Sequence, residues 1–227
     1  IDRIAIDSPH PRLGILTAGK SYLDVRQALD DLGIDEAIAA EIGLRVYKAG
    51  MVWPLEPSGV SAFAHALEEV LVVEEKRAVM ENQLREQLYN WPDAVRPRVV
   101  GKFDENDEFL LPSTGEQSPA MVARVIAARI ARFHASIQVA DRLAEIDAKE
   151  RSLAAAHQII ERTPYFCSGC PHNTSTKVPE GSRASAGIDC HWMSLYMNRG
   201  TETFTHMGGE GANWIGQTQF TEEGHVF

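Results

Sequence analysis

The chain has 227 residues, 44% of them hydrophobic and 24% charged, and 22 Lys plus Arg stand against 32 Asp plus Glu for a formal charge of −10. Those fractions belong to a folded globular protein and exclude wholesale disorder, while the acidic balance excludes broad nucleic-acid binding, which needs basic surface to neutralise phosphates. No apolar run reaches the roughly 18–20 residues of a membrane span, and the opening IDRIAIDSPHPRL lacks the basic-then-apolar layout of a secretory leader. Three clustered cysteines, an odd number, do not make a secreted disulfide framework. A cytoplasmic protein is expected, with neither membrane nor nucleic acid as partner.

The first half alternates strand and helix signals. LGILTAG reads as a short apolar strand ending in Gly19. SYLDVRQALDDL follows with apolar Leu23, Ala28, Leu29 and Leu32, closed by Gly33 as a helix stop. LRVYKAG is a second strand, and after the WPLEP turn Ser58 is placed to cap a helix burying Val60, Phe63, Ala64 and Leu67. EVLVVEE is a continuous apolar run suited to a doubly covered strand. KRAVMENQLREQLY is helical again, and PRVVGKF is a fourth strand. Strands separated by helices of this length predict βαβ units and a mostly parallel sheet, an α/β domain over residues 1–135.

In STGEQSPAMVARVIAARIARF, Ser118 is the N-cap and Pro119 the first helical residue. Val122, Val125, Ile126, Ile130 and Phe133 share one stripe, leaving Arg124, Arg129 and Arg132 as a solvated face. Residues 136–161 read as a polar linker helix. From 162 the composition shifts to glycine, cysteine, histidine and short polar stretches.

Residues 14–21, GILTAGKS, satisfy the phosphate-loop pattern letter for letter. That motif needs a loop whose amides are free to wrap phosphates. Here Ile15 to Ala18 are the strand itself, with amides committed to its neighbours, so nucleotide hydrolysis is rejected. What survives is Lys20 at a strand-to-helix turn, open to contact some anion.

All three cysteines lie in CSGCPH and GIDCH, as Cys167, Cys170 and Cys190. Three chemistries compete on spacing. A thioredoxin-like dithiol uses the C-x-x-C pair and leaves Cys190 idle. A zinc site needs four corners, with His172 or His191 awkwardly close to a cysteine. An iron–sulfur cluster takes thiolates almost exclusively, and a fourth is missing. A zinc-stabilised α/β binding module therefore stands as the rival to any redox reading.

CSGCPH, GIDC and THMGGEGANWIGQ together resemble the thiamine-diphosphate region of 2-oxoacid:ferredoxin oxidoreductases, and most of all the indolepyruvate ferredoxin oxidoreductases in their fused bacterial form. GLRVYKAGMVWPLEP and LEEVLVVEEK resemble the transketolase C-terminal-like domain of the same enzymes. The resemblance implies three segments: that domain at 1–135, a linker at 136–161, and the truncated start of a thiamine and iron–sulfur domain at 162–227. It implies oxidative decarboxylation of a 2-oxo acid, such as indolepyruvate or another aryl pyruvate, to an acyl-CoA with electrons passed to ferredoxin. The implied cofactors are thiamine diphosphate, Mg2+ and a 4Fe-4S cluster. Cys167, Cys170 and Cys190 would hold the cluster. His172, Gly187, Met207, Gly208 and Gly209 would approach the thiamine, with His172 also the candidate catalytic group. The implied partners are the 2-oxo acid, CoA, ferredoxin and the remaining domains of the same polypeptide, a homo-oligomer when full length. The chain contains no Gly-Asp-Gly stretch for Mg2+, no fourth thiolate and no initiator Met. The expectation is an internal piece, inactive alone and possessing no tight cofactor of its own.

Overall fold

The computed structural model describes residues 2–155 and 162–227, and the chain divides into two compact units, Ile1–His157 and Gln158–Phe227. In the first unit, β1 (Arg3–Ile6), β2 (Leu13–Ala18), β3 (Leu44–Ala49), β4 (Glu69–Val73) and β5 (Arg98–Val100) form one sheet in the order β1-β3-β2-β4-β5. Four of these strands are parallel, and β1 runs antiparallel along the outer edge of β3. The mostly parallel α/β architecture expected from the sequence is therefore present.

Alternating side chains divide the apolar residues between two faces. Leu13, Ile15, Val46, Leu71 and Val73 pack with α1 (Gly19–Asp31), α2 (Glu36–Ile42) and α5 (Pro119–Ile130). Leu16, Tyr47, Val70 and Val72 pack with α3 (Pro57–Ala64) and α4 (Met80–Leu88) on the other face. Covered on both sides, β4 is buried along its whole length.

Several local expectations are corrected. On α1 the buried stripe is Val25, Ala28, Leu29 and Leu32, whose spacing is one helix face; Leu23 falls off that stripe and is 64% exposed. Ser58 does not cap α3. Pro57 occupies the first turn, and the preceding Glu56 carboxylate accepts from the Ser58 and Gly59 amides at 2.8 and 2.6 Å. Ser118 does cap α5, accepting from the Met121 amide at 3.2 Å. The expected solvated arginine face fails at Arg129, while Arg124 and Arg132, the latter just past α5, keep partly exposed side chains. Arg129 is 4% exposed and grips Glu69 in a two-point pair, with Glu105 at 2.9 Å. Arg132 pairs with Glu105, and Arg124 with Asp147 and Glu150.

β2 pairs with β3 on one side and β4 on the other, so Gly14–Ala18 of GILTAGKS are strand and Gly19–Ser21 open α1, leaving no phosphate loop between them. Lys20 is not open to an anion either. Its ammonium lies 3.0 Å from Asp24, 3.1 Å from Glu116 and 3.4 Å from Glu75, and donates to the Gln117 carbonyl at 2.5 Å.

Past the end of β4, Glu74 accepts from the Met80 and Glu81 amides at 2.9 and 3.0 Å, capping α4 from a distance. Its carbonyl accepts from the Lys102 ammonium at 2.5 Å and the Gln117 side-chain amide at 2.9 Å. Lys102 also donates to the Pro112 carbonyl and Lys76 to the Gly115 carbonyl, so the 112–117 loop is tied down by lysines.

The linker segment is helical as α6 (Ile137–Ala155). Val139, Leu143 and Ile146 pack on the core shared by α1 and α5, while 156–161 lie outside the described residues. The second unit holds α7 (His172–Ser175), a parallel pair β6 (Ala184–Ala186) and β7 (Thr201–Phe204), a 3₁₀ segment Asp189–Tyr196 between them, and α8 (Ala212–Gln217). Among the described residues no helix is long and apolar enough to cross a membrane.

Candidate functional site

Cys167 and Cys170 bracket a turn closed by the Cys170 amide donating to the Cys167 carbonyl at 3.0 Å. Gly169 sits at its third position with φ +75°, a conformation that costs glycine least. Asn173 holds the turn from below: its side-chain amide donates to the Cys167 carbonyl at 2.9 Å and its backbone amide to the Cys170 carbonyl at 3.0 Å. Pro171, already helical, precedes α7 and fixes the exit from the turn.

His172 is the joint between the two cysteine loops. Its Nδ1 lies 3.3 Å from Cys170 Sγ. One face of its ring stacks on Phe166, which is buried, at 5.2 Å. His172 also stacks with His191, next to Cys190, with 5.8 Å between centroids and 15° between planes. Both thiol loops thus converge on one imidazole pair. Arg199 clamps α7 by donating to Thr176 Oγ1 at 2.7 Å and the Asn173 carbonyl at 3.1 Å, and its guanidinium lies over Phe166.

Cys190 follows Asp189 at the start of the 3₁₀ segment, and Ser194 donates to the His191 carbonyl at 2.7 Å. The Gly187 amide donates to His191 Nδ1 at 2.9 Å, which leaves the imidazole proton on Nε2. Burial, and then the electrostatic effect of the neighbouring His172, push the His191 pKa below its ordinary value. A Cβ on Gly187 would stand 3.2 Å from His191 Nδ1 and 3.6 Å from Glu210 Cγ. The glycine therefore admits both His191 and the MGGEG loop.

Within that loop, the Gly209 amide donates to the His206 carbonyl at 2.9 Å, and Gly208 takes φ +83°. A Cβ on Gly209 would collide with the His206 ring at 2.6 Å. Met207 is exposed at the tip. The structure thus brings Cys170, His172, His191, Gly187 and Glu210 into one neighbourhood and leaves Met207 and Gly208 on an outward turn. Phe166 and Arg199, which shape the site, carried no sequence signal: an ordinary aromatic and an ordinary arginine gain meaning only once the loops fold back.

All three cysteines are free thiols, with Cys167 and Cys190 exposed. Among the described residues, no group of three or more His, Cys, Asp or Glu side chains stands ready around a metal ion. In donor chemistry the residues fit a thiophilic centre, since thiolate is the ligand of iron–sulfur clusters and of zinc.

The family model described as the indolepyruvate ferredoxin oxidoreductase middle domain matches residues 2–156. The chain is 28% identical over 189 residues to the indolepyruvate oxidoreductase subunit IorA of Methanothermobacter marburgensis, covering 83% of this chain and 26% of that protein. It is 30% identical over 165 residues to IorA of Thermococcus kodakarensis, covering 72% and 22%. With IorA of Pyrococcus horikoshii it shares 27% identity over 204 residues, covering 87% and 28%, an alignment that reaches well into the second unit. The chain spans about a quarter of the length of these relatives. Among solved structures, a 2-oxoglutarate:ferredoxin oxidoreductase from Magnetococcus marinus gives a TM-score of 0.38 at 18% identity, over 57% of this chain and 20% of that one. A split-gene transketolase gives 0.40 at 16%, over 58% and 41%.

Proposed function

Because this chain belongs to the indolepyruvate ferredoxin oxidoreductase middle domain family, we propose that it is the central segment of a 2-oxoacid:ferredoxin oxidoreductase. The substrate is an aryl pyruvate of the indolepyruvate kind, the product an acyl-CoA, and the electron acceptor ferredoxin. The observation that carries this reading is the convergence of both cysteine loops on the His172–His191 pair. A redox centre needs its ligands on neighbouring, constrained loops, and the two cysteine-bearing stretches meet that requirement through the His172–His191 stack.

Cys167, Cys170 and Cys190 are the thiolates that would hold an iron–sulfur cluster. When bound, such a cluster takes up the electrons of decarboxylation one at a time and passes them on. Around it, His172 orients the Cys170 sulfur through Nδ1. Gly187 lets His191 and Glu210 lie against its backbone, Gly209 lets the His206 ring do the same, and Gly208, with open space over it, is where a thiamine diphosphate would approach. CoA, ferredoxin and the rest of the polypeptide complete the reaction, so residues 1–227 alone have neither turnover nor tight thiamine binding.

The decisive experiment uses the complete polypeptide, prepared without oxygen. Wild type should contain iron and sulfide and reduce ferredoxin in a 2-oxo-acid-dependent way. Cys170→Ser should lose iron together with activity, with the circular-dichroism spectrum retained. Stoichiometric zinc with no sulfide would replace this reading by the zinc-stabilised module. Calorimetry of the 227-residue chain with thiamine diphosphate and Mg2+ should show no micromolar binding.

A further inference from the structure

The first unit pairs most of its cations. At the start of the sheet, Arg12, Arg98, Arg129 and Arg132 are matched by Glu68, Glu69 and Glu105. At its far end Lys20 meets three carboxylates. At another place, three cations gather around one phenol. Arg3 and Lys48 are direct partners across the antiparallel β1–β3 pair, an arrangement of like charges that costs stability. The Lys48 ammonium lies 4.7 Å from the centre of the Tyr22 ring, and Arg26 Nη1 donates to the Tyr22 hydroxyl at 3.3 Å. Among the described residues, none of these three cations forms an ion pair with a carboxylate. Tyr22 is 7% exposed, so its ring is a fixed floor on which the cations gather. Burial acts to raise the phenol's pKa, yet Arg26 and Arg3 bring it below its ordinary value.

The location is as informative as the charge. Lys48 is the penultimate residue of β3, and Tyr22 lies in the first turn of α1 directly after β2. In open parallel sheets, ligands lie outside the carboxyl ends of the strands, and Lys48 and Tyr22 stand at the carboxyl ends of β3 and β2, on the β3 side of the reversal between β2 and β4. Two guanidinium forks, an ammonium and a phenol offer more donors than the two oxygens of a carboxylate can accept, and suit the three oxygens of a phosphoryl group.

We propose that Arg3, Tyr22, Arg26 and Lys48 form a binding site for the phosphoryl group of a small molecule. The site is independent of the cysteine loops and of the redox reading built on them. It accounts for a like-charge pair kept on an acidic chain: the repulsion is relieved when the anion binds.

The test uses the 227-residue chain at constant ionic strength. Calorimetry and thermal melts follow inorganic phosphate, pyrophosphate and ADP, with poly-glutamate as competitor. Saturable binding is expected, with pyrophosphate tighter than phosphate, and Arg26→Gln or Lys48→Gln should weaken it about tenfold or more, the worth of a charge-assisted hydrogen bond. ADP no tighter than pyrophosphate marks a free phosphate or diphosphate as the source; ADP tighter marks a nucleotide, and either outcome supports the site. Without ligand, Arg3→Gln should melt at the same temperature as wild type or higher, because a repulsion is removed. The proposal is overturned if no anion saturates, if the variants bind as wild type does, or if Arg3→Gln lowers the melting temperature and leaves affinity alone. Poly-glutamate binding tighter than pyrophosphate would overturn it in favour of an acidic peptide.

Discussion

The two units of this chain are stabilised in different ways. The first holds two apolar cores, one on each face of its sheet, with Phe63, Leu71, Leu84 and Ile126 fully buried. In the second, among the described residues, the buried apolar side chains are Phe166, Ala184 and Ala186. Its order rests on turns, glycines at positive φ and side-chain-to-backbone bonds such as those of Asn173, Thr176 and Arg199. A unit so poor in apolar burial gains much from a metal centre or a covering neighbour. Apolar burial and the proposed chemistry thus fall on different stretches of one polypeptide.

The largest effect that sharpens this contrast is in the first unit. Phe63→Ala should cost about 3–5 kcal/mol in urea unfolding, while hydrogen exchange around Cys167–Cys170 in the folded chain stays unchanged. A comparable loss, about 3–5 kcal/mol, is expected for Arg129→Met, which leaves Glu69 buried beside a weaker partner, Arg98, at 3.5 Å. Ser118→Ala removes the α5 cap and should cost about 1 kcal/mol by the same assay.

Acid gives a subtler test. Burial opposes ionisation of Glu105, but its own backbone amide, Arg129 and Arg132 bring its pKa down to about 2 from 4.5. A carboxylate depressed on folding stabilises fully above its unfolded pKa and loses that contribution as pH falls through the folded one. The first unit should therefore weaken between about pH 4.5 and pH 2, and Glu105→Gln should flatten that slope in melts followed against pH. The contrast breaks at the other unit. If anaerobic loading with iron and sulfide fails to slow exchange at Cys170 and His191, the second unit is ordered without a metal.

Much of the first unit was legible in the sequence because its strands are apolar runs with no competing helical period, as in EVLVV, and because Ser118-Pro119 is an unambiguous helix start. What escaped was short or depended on partners. β1 is four residues with an arginine at its head. α2 is seven residues, and its sequence signals are Asp35 as the cap and Gly43 as the stop, which takes φ +89°. Arg129 looked solvated because the sequence cannot say that Glu69, sixty positions away, is waiting for it. In the site, the cysteines and the glycine-rich loop stood out by residue type. The His172–His191 stack and the Arg199 clamp did not, because they exist only after β6 and β7 bring distant loops side by side.

Glu74 has a consequence of its own. Its carboxylate ends one helix and its carbonyl fastens one loop, so the start of α4 and the stretch from Pro112 to Gln117 share a single hinge pin. Loosening either should release both together, and their amide protons should leave at matching rates although some thirty residues of chain separate them.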